Sequence, residues 1–204
     1  MLKQNTSITK IQDAIGRLLS GIPLTPNQWT LLSLLVAFVA AGFIAYLNDL
    51  LIGLLLFALA GAFDMVDGAV ARARGTVSKF GGFIDGVADR FVEASFLFSF
   101  MFYPLPTVFI DPKIWVAAVM FFGTSMPSFI RAYADHKEII EKKRALALSG
   151  ICERSERIII LVVGLLAGIS YSMEFFIYAL MLISLLSLIT ILQRLIEISG
   201  TIKE

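Results

Sequence analysis

Four aspartates stand in the stretch DMVDGAVARARGTVSKFGGFIDGVADR, residues 64 to 90, within a chain that is 58% hydrophobic. Asp64, Asp67, Gly68 and Ala71 fall at i, i+3, i+4 and i+7, so a helix puts them on one face. Gly81, Asp85 and Asp89 follow at i, i+4 and i+8 and share a face in the same way. Only a few residues around Gly75 to Lys79 join the two stripes. That predicts an antiparallel hairpin with Asp67 and Asp85 at similar depth and with Asp64 and Asp89 about one turn deeper. Carboxylates gathered in this way repel one another and must either take up protons or collect cations. Ligation by oxygen alone suits a hard divalent ion, Mg²⁺, Mn²⁺ or Ca²⁺, over zinc. Four such ligands suit two ions, and paired divalent ions serve phosphoryl chemistry by clamping the attacking and leaving oxygens. Solvated, structural acids at helix ends are the alternative; that fits one aspartate better than four on two facing stripes.

The elements that carry these stripes are predicted to cross a membrane. Only 16% of the residues are charged, and the mean hydropathy of +0.84 lies far outside the range of a soluble domain. Six apolar runs are long enough for a hydrocarbon core, which takes roughly 20 helical residues. They run approximately over Trp29 to Leu47, Leu50 to Arg72, Gly81 to Tyr103, Ile114 to Ala134, Glu156 to Tyr171 and Glu174 to Ile196. An Asp at the centre of such a helix costs roughly 2.5 to 3.5 kcal/mol on insertion scales, so intramembrane acids point to function. The expected fold is an all-α integral membrane protein: one domain over 1–204, with an interfacial helix over 1–22 and a six-helix bundle over 29–198.

Basic residues set the orientation, because cytoplasmic loops are enriched in Lys and Arg. If the six runs all cross, 15 of the 17 basic residues fall on one side, with Lys113 opposite and Arg90 inside a span. Both termini and the acidic cluster are therefore expected to face the cytoplasm. Residues 1 to 22 lack the continuous apolar core of a signal peptide. Instead Ile8, Ile11, Ile15, Leu18 and Ile22 recur at helical spacing, with Lys10, Asp13 and Arg17 between them, which predicts a helix lying in the membrane interface. It should break at Gly21 to Pro23, and Thr25 followed by Pro26 makes a capped start for the first span. The single cysteine, Cys152, excludes an internal disulfide and a cysteine-based metal site. His136, the one histidine, reads as solvated, Trp29 and Trp115 as residues near the interfaces, and Arg90 and Glu93 as a mutually neutralising pair. Gly68, Ala71, Gly81, Gly82 and Gly86 keep the acidic faces clear of side chains, which suits both a bound ligand and tight helix packing.

The spacing of Asp64, Asp67, Gly68, Ala71, Arg72, Gly81, Asp85 and Asp89 resembles the full signature of the CDP-alcohol phosphotransferases, and every fixed position is met. A pattern of this length is specific, and the six-span layout behind an interfacial helix is similar to that family over essentially the whole chain. The resemblance implies a centre of two divalent cations, Mg²⁺ or Mn²⁺, with Asp64, Asp67 and Asp85 as ligands. Asp89 completes it and serves as general base. It implies that Gly68, Ala71 and Arg72 accommodate the cytidine nucleotide and its diphosphate. It further implies a CDP-linked lipid donor, an acceptor hydroxyl that attacks the lipid-side phosphorus, CMP as leaving group, surrounding membrane lipids and a homodimer. No nucleic-acid partner is expected.

The acceptor is less legible. Span four ends in SFIRAYAD, and the basic run EKKRALALSGICERSER leads into span five. Arg131, Arg154 and Arg157 are candidates to hold a phosphate on the acceptor, since arginine pairs with phosphate in bidentate fashion. Lys137, Lys142, Lys143 and Arg144 read better as topology signals near anionic lipid. The segment GICERSER resembles the branch that uses inositol phosphate, with ester or archaeal ether lipids. A phosphatidylglycerol phosphate synthase using glycerol 3-phosphate is the close competitor, and a soluble CDP-inositol donor stays open. From other classes stand a divalent-cation transporter or channel, which an arginine-rich mouth disfavours, and a membrane prenyltransferase, which normally needs more spans.

Overall fold

The computed structural model describes residues 14–141, 144 and 147–201. Of the expected interfacial helix, Ile8, Lys10, Ile11 and Asp13 lie outside the described residues, as do Lys3, Lys142, Lys143 and Lys203. The described residues form helices and no strand; Val108 and Ile110 make one isolated bridge. The helices are α1 (Pro26–Leu47), α2 (Leu50–Ala73), α3 (Lys79–Ser99), α4 (Pro112–His136), α5 (Arg154–Ser170) and α6 (Glu174–Thr201). Among the described residues, α1, α2, α4 and α6 are long and apolar enough to cross a membrane. Helix α3 carries Asp85, Asp89, Arg90 and Glu93 along its length, and α5 has 17 residues. Two compact units divide the chain, Met1–Ser99 and Phe100–Glu204.

In the first unit α1 packs against both α2 and α3, while α2 and α3 meet each other sparingly. The start of α1 is fixed as the sequence predicts. Gln28 N donates to Thr25 Oγ1 at 3.3 Å and Thr25 N donates to Gln28 Oε1 at 2.7 Å, a reciprocal capping box with Pro26 in the first turn. The close α1–α2 approach depends on small residues: Ala37, Ala40 and Ala60 are fully buried, and Ser33 Oγ donates to the Ala60 carbonyl at 2.8 Å. Trp29 is 6% exposed and packs on Val66 and Val70 of α2, with Ile15 and Leu19 against the same cluster. The helical turn over 14–19 lies so close to α2 that a Cβ at Gly16 would stand 2.5 Å from the Ala69 carbonyl oxygen. Leu18, expected on the same stripe as Ile15, is exposed.

Between α2 and α3 lie residues 74–78. Gly75 takes φ +65°, Thr76 N donates to Ala71 O at 2.9 Å and Gly75 N to Arg72 O at 3.2 Å. This is a Schellman motif, and its left-handed position is where glycine is favoured. Ser78 then begins α3 by accepting from Gly81 N at 2.9 Å. Away from the turn, the rings of Phe57 and Phe96 stack with centroids 4.0 Å apart. Toward the turn the two helices open into a wedge, floored by the first turns of α1.

In the second unit α4 widens into a π-helix over Val119–Ser125. Pro127 has no N–H to give the carbonyl of Gly123, and its ring crowds that position, so the coil loosens just before it. Ser125 Oγ follows the wider register by donating to Met120 O at 3.0 Å. Helix α6 turns a buried polar stripe inward, Ser184, Ser187, Thr190 and Arg194. Thr190 Oγ1 accepts from Cys152 N at 2.9 Å and donates to Leu186 O at 3.0 Å. Helices α5 and α6 touch at glycine: a Cβ on Gly164 would overlap that of Ala179. Gly164→Ala should therefore cost about 1–3 kcal/mol by overpacking. Gly61→Ala, where a Cβ would meet nothing within 4 Å, should be neutral or stabilise by up to about 1 kcal/mol, alanine being the better helix former; thermal unfolding in detergent compares the two.

Candidate active site

Three of the four aspartates converge. One carboxylate oxygen each from Asp64, Asp67 and Asp85 lies within 4.8 Å of the others, Asp67 buried and its two companions half-buried. They come from the last turns of α2 and the first turns of α3, as their helical spacing predicts. Asp89 sits about one turn further along α3. It is not a member of this group, and its Oδ2 is 4.0 Å from Nη1 of Arg90.

Asp67 is only 4% exposed, and the group that answers it comes from α1. Thr30 Oγ1 donates to Asp67 Oδ2, and also faces the Pro26 carbonyl at 3.3 Å. A hydrogen bond to a charged group is worth about 1.5–3 kcal/mol. That bond helps to fix the Asp67 carboxylate beside Asp64 and Asp85. The donor set is all oxygen and carries three formal charges in a small volume, which fits a hard divalent cation such as Mg²⁺ or Mn²⁺.

A cavity of about 400 Å³ opens beside the triad, lined by Asp67, Gly68, Ala71 and Arg72 of α2, by Thr76, Val77 and Ser78 of the turn, by Gly81, Gly82 and Asp85 of α3 and by Thr25, Pro26, Asn27 and Thr30 at the start of α1. The expected nucleotide residues Gly68, Ala71 and Arg72 are thus together on its wall. Arg72 lies along the helix, with Nη1 3.4 Å from where a Cβ of Gly68 would stand. A Cβ at Gly82 would meet nothing within 4 Å. One wall is therefore bare backbone, one carries a guanidinium, and the carboxylates stand at the inner end. Sequence reasoning missed Thr25, Asn27, Thr30 and Ser78. For Thr25, Asn27 and Thr30 the signal was the polar TPNQWT turn at the start of an otherwise apolar span; Ser78 stands in the α2–α3 turn.

The arginines expected to take the acceptor belong to the second unit. Arg157 is buried, 3% exposed, with Cδ 3.0 Å from where a Cβ of Gly123 would stand in the π-helical stretch. Arg154 is half-buried. Arg131 Nη2 donates to Leu148 O at 2.7 Å and lies 3.6 Å from Glu153 Oε2. Glu153 also accepts from Arg194 Nη2 at 2.6 Å, and Arg194 Nη1 donates to the Pro127 carbonyl. Arg194, one of the 15 basic residues that the sequence places on the cytoplasmic side, is 2% exposed. The pattern missed it because its partner Glu153 is 41 residues away.

The CDP-alcohol phosphatidyltransferase family model matches residues 23–196. The archaetidylinositol phosphate synthase of Pyrococcus horikoshii is 36% identical over 187 residues, 91% of this chain and 89% of that protein. The phosphatidylinositol phosphate synthase of Corynebacterium glutamicum is 30% identical over 191 residues, covering 91% of this chain and 83% of its own. Among solved structures, the phosphatidylinositol phosphate synthase of Mycobacterium tuberculosis with CDP-DAG bound gives a TM-score of 0.76 at 25% identity, over 93% of this chain and 94% of that one.

Removing an acid from the triad should remove the cation. Asp67→Asn is expected to abolish Mn²⁺ binding measured by electron paramagnetic resonance. Thr30→Val should weaken it by about tenfold through loss of one charge-assisted hydrogen bond. Unchanged affinity in both variants would place the cation elsewhere.

Proposed function

This chain belongs to the CDP-alcohol phosphatidyltransferase family, and we propose that it transfers a phosphatidyl-type group from a CDP-linked lipid to a hydroxyl of inositol phosphate, with release of CMP. The carboxylate triad beside a cavity of about 400 Å³ carries this reading, because it joins anionic ligands to a bare-backbone wall and a guanidinium at diphosphate scale. The acceptor assignment is supported by relatives named as inositol phosphate lipid synthases over nearly the full chain, and by the buried arginine in GICERSER.

In the proposed mechanism, Gly68, Ala71 and the bare backbone of Gly81 and Gly82 admit the nucleotide, and Arg72 pairs with its diphosphate. Asp64, Asp67, Asp85 and Asp89 would hold two divalent cations, Mg²⁺ or Mn²⁺, whose charge offsets that of the diphosphate and of the departing CMP. Asp89 accepts the proton of the acceptor hydroxyl. The freed oxygen forms a bond to the lipid-side phosphorus, the bond from that phosphorus to the CMP oxygen breaks, and its electron pair leaves with CMP. Arg131, Arg154 and Arg157 hold the acceptor phosphate.

The same reading takes the chain as one membrane-embedded domain over 1–204, with an interfacial helix over 1–22, six spans within 29–198, both termini and the site on the cytoplasmic side, and a homodimeric assembly. The distribution of 15 of 17 basic residues supports the orientation. The family match, running from 23 to 196 through both units, supports the single domain.

The test is a panel of acceptors, inositol phosphate, glycerol 3-phosphate, serine and free inositol, offered to the purified full chain with one CDP-lipid and Mg²⁺ or Mn²⁺. Inositol phosphate should give radiolabelled lipid and an equal amount of CMP. Product from glycerol 3-phosphate alone would reassign the acceptor, and metal uptake into liposomes without CMP release would remove the enzyme reading. Asp89→Asn should lower turnover by about 100-fold or more while retaining metal-dependent nucleotide binding; near-normal turnover would remove its role as base.

A further inference from the structure

Arg74 reads in the sequence as a basic flank of the α2–α3 turn, a role that needs a charge and no particular partner. Its geometry is more specific. Nη1 donates to Leu24 O at 2.6 Å, Nε and Nη2 donate to Ser20 O at 3.2 and 2.8 Å, and Nη2 also donates to Ile22 O. All three carbonyls belong to the bend that immediately precedes Thr25. Arg74 therefore grips main chain, from a position that is itself fixed: it is the C-cap of α2, followed by Gly75 in the left-handed conformation.

The two ends of this grip are the two sides of the cavity. Thr25, Pro26 and Asn27 follow directly from the gripped bend, and Thr76, Val77 and Ser78 follow Arg74 after the single residue Gly75. Arg74 does not line the cavity. We propose that Arg74 is a positioning residue: by tying the bend at 20–24 to the α2–α3 turn it sets the spacing of the walls, and so the affinity for the CDP moiety of the donor, without touching it. This rests on the nucleotide reading of the cavity. A lysine keeps the charge but is a point donor on a flexible stem, and cannot reproduce a planar fork on three carbonyls.

The full-length chain in detergent or nanodiscs tests this with CDP as the probe in the presence of Mn²⁺, and with the KM of each substrate. Arg74→Lys and Arg74→Ala should both weaken CDP binding and raise the KM for the CDP-lipid by about tenfold, as expected for loss of charge-assisted hydrogen bonds that hold the site. The acceptor KM should stay within about twofold in both. Added guanidinium ion should partly restore Arg74→Ala and leave Arg74→Lys unchanged. Arg74→Lys preserves the charge at the membrane rim, so it separates positioning from loss of fold. If the wild-type chain does not bind CDP with Mn²⁺, the nucleotide reading falls and takes this proposal with it. If the wild type binds and Arg74→Lys binds equally well, or if both KM values shift together, the positioning role alone is overturned.

Discussion

A carboxylate inside an apolar helix is tolerated only when its charge is answered, and in the first unit the answer shapes everything around it. Asp67 is nearly sealed from solvent, where a bare anion costs far more than at the surface. Thr30 supplies one donor, and the companion acids Asp64 and Asp85 make the remaining requirement a cationic one. Helix α1 must therefore bring a polar first turn against α2, which its cap at Thr25 and the small residues of the α1–α2 seam allow. The wedge left between α2 and α3 is then a cavity close to the acids and walled in part by glycine backbone, the place proposed for the nucleotide diphosphate.

The second unit meets the same constraint with the opposite sign. Arg157 and Arg194 are buried cations, and Arg194 is offset by Glu153 and a main-chain carbonyl. Removing one partner of such a pair typically costs about 3–5 kcal/mol, because the survivor is left charged in a poor solvent. The π-helical stretch and Gly123 leave room for the Arg157 stem beside α4. A local loosening of one helix thus accommodates a charged side chain of its neighbour.

Much of this was legible because it is periodic. The spacing of Asp64, Asp67 and Asp85 placed them together correctly, Thr25–Pro26 marked the start of α1, and Gly68, Ala71 and Arg72 fell on one wall. What periodicity could not show was everything held by residues far apart in the chain. Thr30 reaches Asp67 across 37 positions, Arg74 reaches back to the bend at 20–24, and Glu153 is coupled to Arg194. Helical spacing sorts residues onto faces within one element; it does not say which face of which other element lies opposite. The hairpin expectation was likewise incomplete, since α1 rather than a tight α2–α3 contact supplies the floor of the site.

The account stands on the claim that Asp64, Asp67 and Asp85 grip a divalent cation beside the cavity proposed to take the nucleotide. Anomalous scattering from crystals grown with Mn²⁺ and a CDP-lipid measures this directly. The expected result is an anomalous peak in direct coordination with all three carboxylates and with the diphosphate. A diphosphate bound in the cavity with no peak between those carboxylates, or a peak coordinated by other residues, would contradict it.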